Sequence, residues 1–361
     1  MITEKKGKKN INRINMKAIF FLILILFNAN LIIGTAAPAS SPPNSYHIAG
    51  VLQHKQMNAL LCGPAALEIV FDFWGEDIDQ KVIANVARTS SKGTYAWDIA
   101  RSGHFSYLST ARGSYFSHDI PAAGFPQRQI GYATFNYSSD NFWWEDLKSL
   151  IASNIPVVLL MKYAPFDDTG HYRVIVGYDE PEGVVYFMDP WDRDLKRVTN
   201  PDGTVTWTMD DFKKAWNYSK YGTTYPYWGA IIMPWSIDLV TEGKTTKGST
   251  LNVTAKITYT CPQPFDCSTY PASNVSAEII LPQGMFLQKG SSQINIGDLK
   301  AGGSASVTWN VKLDSNGKGS SITVKAGGLV SGAVPDVMWP GIFYPGYGYE
   351  DHIGGDASIK I

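Results

Sequence analysis

The sequence has few charged residues and almost no net charge. Only 17% of its 361 residues are Asp, Glu, Lys or Arg, and the formal net charge is -1 at pH 7. Beyond the amino-terminal segment there is no block of like charges. Because binding to nucleic acid or to an anionic membrane surface depends on clustered basic side chains, we expect neither as a partner.

Long apolar runs are also scarce. A single run, Ala18–Phe27, follows the basic stretch "KKGKKNINRINMK" and precedes the small residues of "GTAAPAS". This order is typical of a secretory signal peptide, with cleavage near Ala36 or Ala39. The alternative is an uncleaved anchor, for which the run is short. We therefore expect a signal peptide at 1–39, a secreted or cell-surface protein, and no stable membrane insertion after cleavage.

Cysteine is the third scarcity, with three in the whole chain. Cys261 and Cys267 lie in the Pro-containing stretch "TCPQPFDCST", which predicts a small disulfide in an oxidising compartment. Cys62 is then unpaired. An odd cysteine in a secreted protein is an intermolecular partner or a reactive thiol, and the further alternative is a buried, inert side chain.

Four Asn-X-Ser/Thr motifs agree with export. They predict N-glycosylation at Asn136, Asn217, Asn252 and Asn274. Each is a short pattern that also occurs by chance, so the motifs support secretion without establishing it.

The length of the chain predicts two domains, the first at 51–235 after a linker at 40–50. A helical pattern follows Cys62 and ends at Gly75, and "WWEDLKSLIAS" predicts a second helix. The Gly- and Ser-rich stretch Gly103–Gly131 predicts a loop. The runs "IPVVLLMKY", "HYRVIVGYDE", "GVVYFMDP" and "WGAIIMPW" predict consecutive strands of an antiparallel meander, hence an α+β domain.

The pattern changes at about residue 236. The segments "STLNVTAKITYT", "NVSAEIILP", "SASVTWNVKL" and "SSITVKAGG" alternate between apolar and polar residues and are separated by Gly, Asn, Ser and Pro. This pattern predicts that 236–361 is an all-β accessory domain, a sandwich of the immunoglobulin-like type.

Cys62 stands where the predicted helix begins, in "LLCGPAALEIV". The helix dipole favours a thiolate at this position and lowers its pKa. The backbone N–H of such a residue can also donate to a developing oxyanion. A second oxyanion donor is normally a side-chain amide, for which Gln56 is the candidate and Gln53 a weaker one.

A nucleophilic thiol needs a general base, and the base needs a group that orients it. His171 alone among the histidines begins a strongly apolar strand, and Asp189 ends the next predicted strand. Neighbouring antiparallel strands can place the Asp189 carboxylate against the His171 ring and hold one tautomer. The alternatives are a core histidine bonded to a backbone carbonyl and an Asx-type turn at Asp189.

The motifs "Q-x5-CGPAA", "GHYRVIVGYD" and "VVYFMDP" resemble those of the papain-like family-39 cysteine peptidases, best known for removing double-glycine leader peptides. The match is closest to the transporter-free branch and covers Val51–Trp235. "WTMDDFKKAWNYS" resembles the family segment in which a Phe and a Trp pack a late helix. The resemblance implies a papain-like fold, with Cys62 as nucleophile, His171 as base, Asp189 as orienting acid and Gln56 as oxyanion donor.

These observations predict a secreted cysteine peptidase acting on a peptide or protein substrate. No cofactor and no metal are expected, since the carboxylates of "DPWDRD" and "FDDTG" lack the spacing of a calcium loop. One alternative is acyl transfer or cell-wall isopeptide cleavage at the same site. Another is a catalytically silent papain-like adhesion or binding protein. The β-sandwich would serve surface or cell-wall attachment, or substrate presentation.

Overall fold

The computed structural model describes residues 41–109, 128–191, 197–220, 223–268, 270–339 and 342–361. The predicted signal peptide at 1–39 lies outside the described residues. Pro42–Ile361 form one compact unit. Within the described ranges, no helix has both the length and the apolar character needed to cross a membrane.

The helices of the described residues all precede the β-sandwich. They are α1 (Cys62–Phe73), α2 (Gln80–Val86), α3 (Ala96–His104), α4 (Trp144–Ala152) and α5 (Met209–Trp216). The two helices predicted at Cys62 and in "WWEDLKSLIAS" are α1 and α4. Gly75 has a φ of 94° just beyond α1, the left-handed conformation that commonly follows a helix end. Phe212 and Trp216 of α5 stack at 5.2 Å between ring centroids, as the late-helix motif predicts.

A seven-stranded antiparallel sheet packs against α1. Its strands are β1 (Ser45–His47), β2 (Ala133–Tyr137), β3 (Val157–Ala164), β4 (Asp167–Asp179), β5 (Val184–Met188), β6 (Val205–Thr208) and β9 (Trp228–Met233), and a separate hairpin comprises β7 (Asn217–Lys220) and β8 (Thr223–Pro226). The order is β2-β9-β3-β4-β5-β6, with β1 also paired to β4. The α+β prediction is therefore confirmed.

Three details differ from the sequence prediction. Strand β9 pairs with β2 and β3 instead of following β5, because α5 and the β7–β8 hairpin carry the chain back across the sheet. On the side away from β4, β5 pairs with β6, a strand that was not predicted. The predicted loop Gly103–Gly131 begins inside α3, whose Ser, Gly and His residues give a weak helical pattern; residues 110–127 of that loop lie outside the described part.

The remaining strands form two facing four-stranded sheets and a small hairpin. They are β10 (Ser236–Gly243), β11 (Thr250–Thr258), β12 (Ala272–Ile280), β13 (Met285–Leu287), β14 (Gln293–Leu299), β15 (Ser304–Leu313), β16 (Ser321–Val334), β17 (Val337–Trp339), β18 (Ile342–Tyr344) and β19 (Tyr347–Lys360). The sheet orders are β10-β11-β15-β13 and β14-β12-β16-β19. The two sheets agree with the predicted β-sandwich, and its immunoglobulin-like type stays a prediction.

The β-sandwich packs directly on the α+β part. Trp235 stacks on Tyr259 at 4.7 Å between ring centroids. Arg101 of α3 forms an ion pair with Asp351 of β19 at 3.4 Å, with both side chains buried. The predicted boundary falls at residues 235 and 236, between the end of β9 and the start of β10. Whether the two parts are independent folding units stays a prediction.

The predicted disulfide between Cys261 and Cys267 is present, and Cys62 is a free thiol. Three of the four predicted glycosylation sites, Asn217, Asn252 and Asn274, are exposed, whereas Asn136 is half-buried in β2. Their glycosylation remains a prediction.

Candidate active site

Cys62 is the first residue of α1 and lines a cavity of about 290 Å³. The residue is 9% exposed. Backbone N–H groups of Gly63 and Tyr172 donate to the sulfur. No side chain caps the start of this helix. The positive end of the helix dipole therefore acts on the thiol, as its position in the sequence predicts.

The antiparallel pairing of β4 with β5 brings His171 and Asp189 together. Val174 of β4 lies opposite Met188, the last residue of β5, and Asp189 follows directly. The His171 Nε2 and the Asp189 Oδ1 are 2.8 Å apart. The His171 side chain also interacts with the Cys62 thiol, for which the other ring nitrogen, Nδ1, is available.

The electrostatics of the pair favour a thiolate beside an imidazolium. Burial raises the pKa of Cys62, but the hydrogen bond and charge of His171, together with the two backbone N–H donors, bring this pKa below its usual value. Burial and Arg173 lower the pKa of His171, but Asp189 and Cys62 outweigh them and raise it. The two shifts agree, since each group stabilises the charged form of the other.

Arg173 is a site residue that the sequence analysis missed. Its Nε donates to the Asp189 Oδ2 at 2.5 Å, and its other donors bind the carbonyls of Lys162 and Tyr163. Burial raises the pKa of Asp189, but Arg173 and His171 hold it well below the usual range. Arg173 follows His171 by two positions in β4, so both side chains face the same side. The sequence signal that could have identified it is a charged Arg inside the apolar run "HYRVIV".

The two candidate glutamines lie in the loop before α1. This loop is hydrogen-bonded to the residues that follow β5. The Gln53 amide donates to the carbonyl of Asp189 at 2.9 Å, and the Gln56 backbone N–H donates to that of Pro190 at 3.2 Å. The Gln56 side chain is buried, and its amide donates to the carbonyl of Asn58 at 2.6 Å. The role of Gln56 as an oxyanion donor stays a prediction.

The acidic segments form no metal cluster in the described part of the chain. Asp168 of "FDDTG" forms an ion pair with Lys162 at 2.6 Å, and Asp167 accepts from the backbone of Thr169. Residues 192–194 of "DPWDRD" lie outside the described residues. A larger cavity of about 820 Å³, between Glu76 and the β-sandwich, is not lined by Cys62, His171 or Asp189.

Gly63 allows the start of α1 to approach α3 closely. A Cβ at this position would lie 2.7 Å from Ile99 Cδ1 and 3.2 Å from Thr94 Cβ. We expect Gly63→Ala to lower the free energy of unfolding by about 1–3 kcal/mol through overpacking. The loss should be smaller in an Ile99→Val background, which lacks the clashing Cδ1. Urea unfolding of the four proteins of this cycle measures it, and equal losses in both backgrounds would contradict the contact.

Comparison with known proteins agrees with this architecture. This part of the chain has a C39 peptidase-like fold, in which a helix that carries a cysteine packs on an antiparallel sheet that carries His and Asp. Residues 48–224 match the model of the Peptidase_C39 like family. No curated protein gives a significant match.

Two solved structures are similar to part of the chain. One is a double glycine motif protease from an AMS/PCAT transporter in complex with the leader peptide, with 15% identity and a TM-score of 0.31 over 51% of this chain and 92% of that one. The other is the peptidase domain of Streptococcus ComA, a bi-functional ABC transporter involved in a quorum sensing pathway. It has 14% identity and a TM-score of 0.31 over 51% of this chain and 99% of that one.

Proposed function

We propose that the protein is a secreted cysteine peptidase that cleaves peptide bonds with Cys62, His171 and Asp189. The observation that carries the proposal is that the His171 ring bonds the Asp189 carboxylate at 2.8 Å and also interacts with the Cys62 thiol. These side chains supply a nucleophile, a base and the group that orients the base. Secretion is supported by the disulfide between Cys261 and Cys267, since such bonds persist in oxidising compartments.

In the proposed reaction, the Cys62 thiolate attacks the carbonyl carbon of the scissile amide. The oxyanion that forms accepts hydrogen bonds from the Cys62 backbone N–H and from the Gln56 amide. The His171 imidazolium gives its proton to the leaving amine as the C–N bond breaks, which leaves a thioester on Cys62. His171 then takes a proton from water, and the hydroxide oxygen attacks the thioester and releases the acid and the thiol.

Asp189 and Arg173 have different parts in this reaction. Asp189 binds His171 Nε2 and so keeps Nδ1 directed at the sulfur. Arg173 and the backbone N–H of Trp191 both donate to the Asp189 carboxylate, which keeps it ionised and fixed in orientation. Arg173 is thus a positioning residue, because its effect on the reaction passes through Asp189.

The reactivity of the thiol tests the proposal. We expect iodoacetamide to label one thiol per chain, with a rate that rises through a midpoint below the pKa of a free thiol, about 8.5. The physical reason is that His171 holds the pKa of Cys62 below its usual value. The measurement is the alkylation rate of purified protein as a function of pH, with the labelled peptide identified by mass spectrometry.

His171→Ala provides the comparison for this experiment. Removing the imidazole leaves burial as the largest influence on the thiol, so the midpoint should move above that of a free thiol. A midpoint at or above 8.5 in the unaltered protein, together with no cleavage of any peptide in a mixed library, would favour a silent binding protein instead.

A further inference from the structure

The cavity at Cys62 is bordered by two short hairpins from different parts of the chain. Tyr218 and Tyr225 belong to the β7–β8 hairpin of the α+β part, and both line the cavity. Val337 and Met338 belong to the β17–β18 hairpin of the β-sandwich, and they also line it. The β-sandwich therefore contributes directly to the space in front of the candidate nucleophile.

The β17–β18 hairpin extends beyond the sandwich strands β16 and β19, and Arg88 holds its base. The Arg88 guanidinium donates to the carbonyl of Pro345 at 2.9 Å and to that of Pro335 at 3.3 Å. Along the chain, Pro335 precedes β17 and Pro345 follows β18. Asp98 of α3 binds the same guanidinium through two hydrogen bonds of 2.8 and 3.0 Å. The backbone N–H of Gly346 donates to the Asp336 carboxylate at 2.5 Å and closes the hairpin base.

Apart from Asp336, the side chains that this hairpin contributes to the cavity are apolar. Val337 is buried, whereas Met338 is 78% exposed although it is apolar. The ring of Tyr95 stacks on that of Trp97, and both residues line the same cavity. An exposed methionine beside aromatic rings fits an apolar ligand side chain, since its flexible thioether adapts to different shapes.

The backbone of β17 suits an extended peptide. Among the described strands β17 pairs only with β18, from Val337–Tyr344 to Trp339–Ile342. An unpaired strand edge can hydrogen-bond the main chain of an extended ligand, while neighbouring pockets select its side chains. The cavity, at about 290 Å³, accommodates only a small part of such a peptide.

We propose that the β17–β18 hairpin of the β-sandwich is a substrate-binding wall of the Cys62 cleft, and that Met338 selects an apolar side chain in an extended peptide substrate. This inference rests on the peptidase function proposed above. It gives the β-sandwich a part in substrate selection that is separate from any attachment to a surface. It also implies that a protein truncated after β9 would have a cleft with an incomplete wall.

The test compares Met338→Gln, which removes the apolar contact at similar size, with Met338→Leu, which keeps it. Val240→Gln is the matched control, since Val240 lies 56% exposed on β10 and does not line the cavity. Each protein is assayed with a decapeptide library that varies one position at a time between Leu and Gln. We expect Met338→Gln to lower the preference for Leu, measured as the ratio of kcat/KM for the Leu peptide to kcat/KM for the Gln peptide, about tenfold at one position. Met338→Leu and Val240→Gln should keep the preference.

Binding of the same peptides to the Cys62→Ala protein separates the two proposals. If Met338→Gln leaves the preference for Leu unchanged, or if it raises the rate of cleavage, the substrate wall is overturned. The peptidase function is then left standing. Binding with a Met338-dependent preference, but no cleavage by the protein with Cys62 intact, supports the wall and overturns the peptidase. A protein that neither binds nor cleaves any of the peptides overturns both.

Discussion

Cys62→Ala is expected to abolish peptide hydrolysis. Without the sulfur no acyl-enzyme forms, and the loss of a nucleophile from a catalytic triad lowers kcat by a factor on the order of 10⁶. The substitution removes one atom from a side chain that borders a cavity, so the fold should be retained. The measurement is the turnover of library peptides by mass spectrometry, with circular dichroism and a thermal midpoint to show that the variant is folded.

A cysteine-matched control makes this result specific. The double variant Cys261→Ala, Cys267→Ala removes the disulfide of the β-sandwich and retains the free thiol. It should hydrolyse the same peptides, although its stability falls by about 2 kcal/mol on the chain-entropy account of a short loop. If Cys62→Ala kept the activity of the unaltered protein, hydrolysis would have to come from another site and the proposed mechanism would be wrong.

Arg173→Met is expected to be among the most destabilising substitutions in the chain. It leaves the Asp189 carboxylate buried with His171 as its one remaining charged partner among the described residues, and breaking a buried ion pair costs about 3–5 kcal/mol. Urea unfolding followed by tryptophan fluorescence measures the loss. The cost should shrink in the double variant with Asp189→Asn, because no unpaired carboxylate is then left behind.

Arg197→Met is the matched control for that experiment. The guanidinium groups of Arg173 and Arg197 both lie over the ring of Trp207, at 4.5 and 3.6 Å from its centroid. Arg197 pairs at 3.4 Å with Asp211, whose side chain is 36% exposed, so its loss should cost no more than about 1 kcal/mol. Equal losses for the two arginines would show that stacking on Trp207, and not the ion pair with Asp189, accounts for the effect.

Much of the candidate site could be predicted because its residues carry local signals. Cys62 precedes a Gly-Pro pair and an apolar helical pattern, His171 begins the apolar run of β4, and Asp189 directly follows β5. Strands that follow each other with a short turn usually pair, so the meeting of His171 with Asp189 follows from their order in the chain. The loop between Cys261 and Cys267 is likewise short enough for its disulfide to be inferred from spacing.

Arg173 and its ion pair with Asp189 were harder to predict from the sequence. A buried arginine requires a buried acid, but the sequence of β4 does not say which acid. Strand β9 shows the same limit, since its apolar residues suit either edge of the meander. The placement depends on how α5 and the β7–β8 hairpin return the chain across the sheet, which is a property of packing.

The sequence by itself determined the elements with a clear period, the free thiol at the start of a helix, and the two strands that bring His171 to Asp189. Only the tertiary structure decided that the β17–β18 hairpin lies beside Cys62, with its base held by Arg88. The physical reason is the separation along the chain of the residues that interact. Helices, strands and turns depend on neighbours within a few residues, whereas contacts between Arg88 and the region around Pro345 depend on the packing of the whole chain.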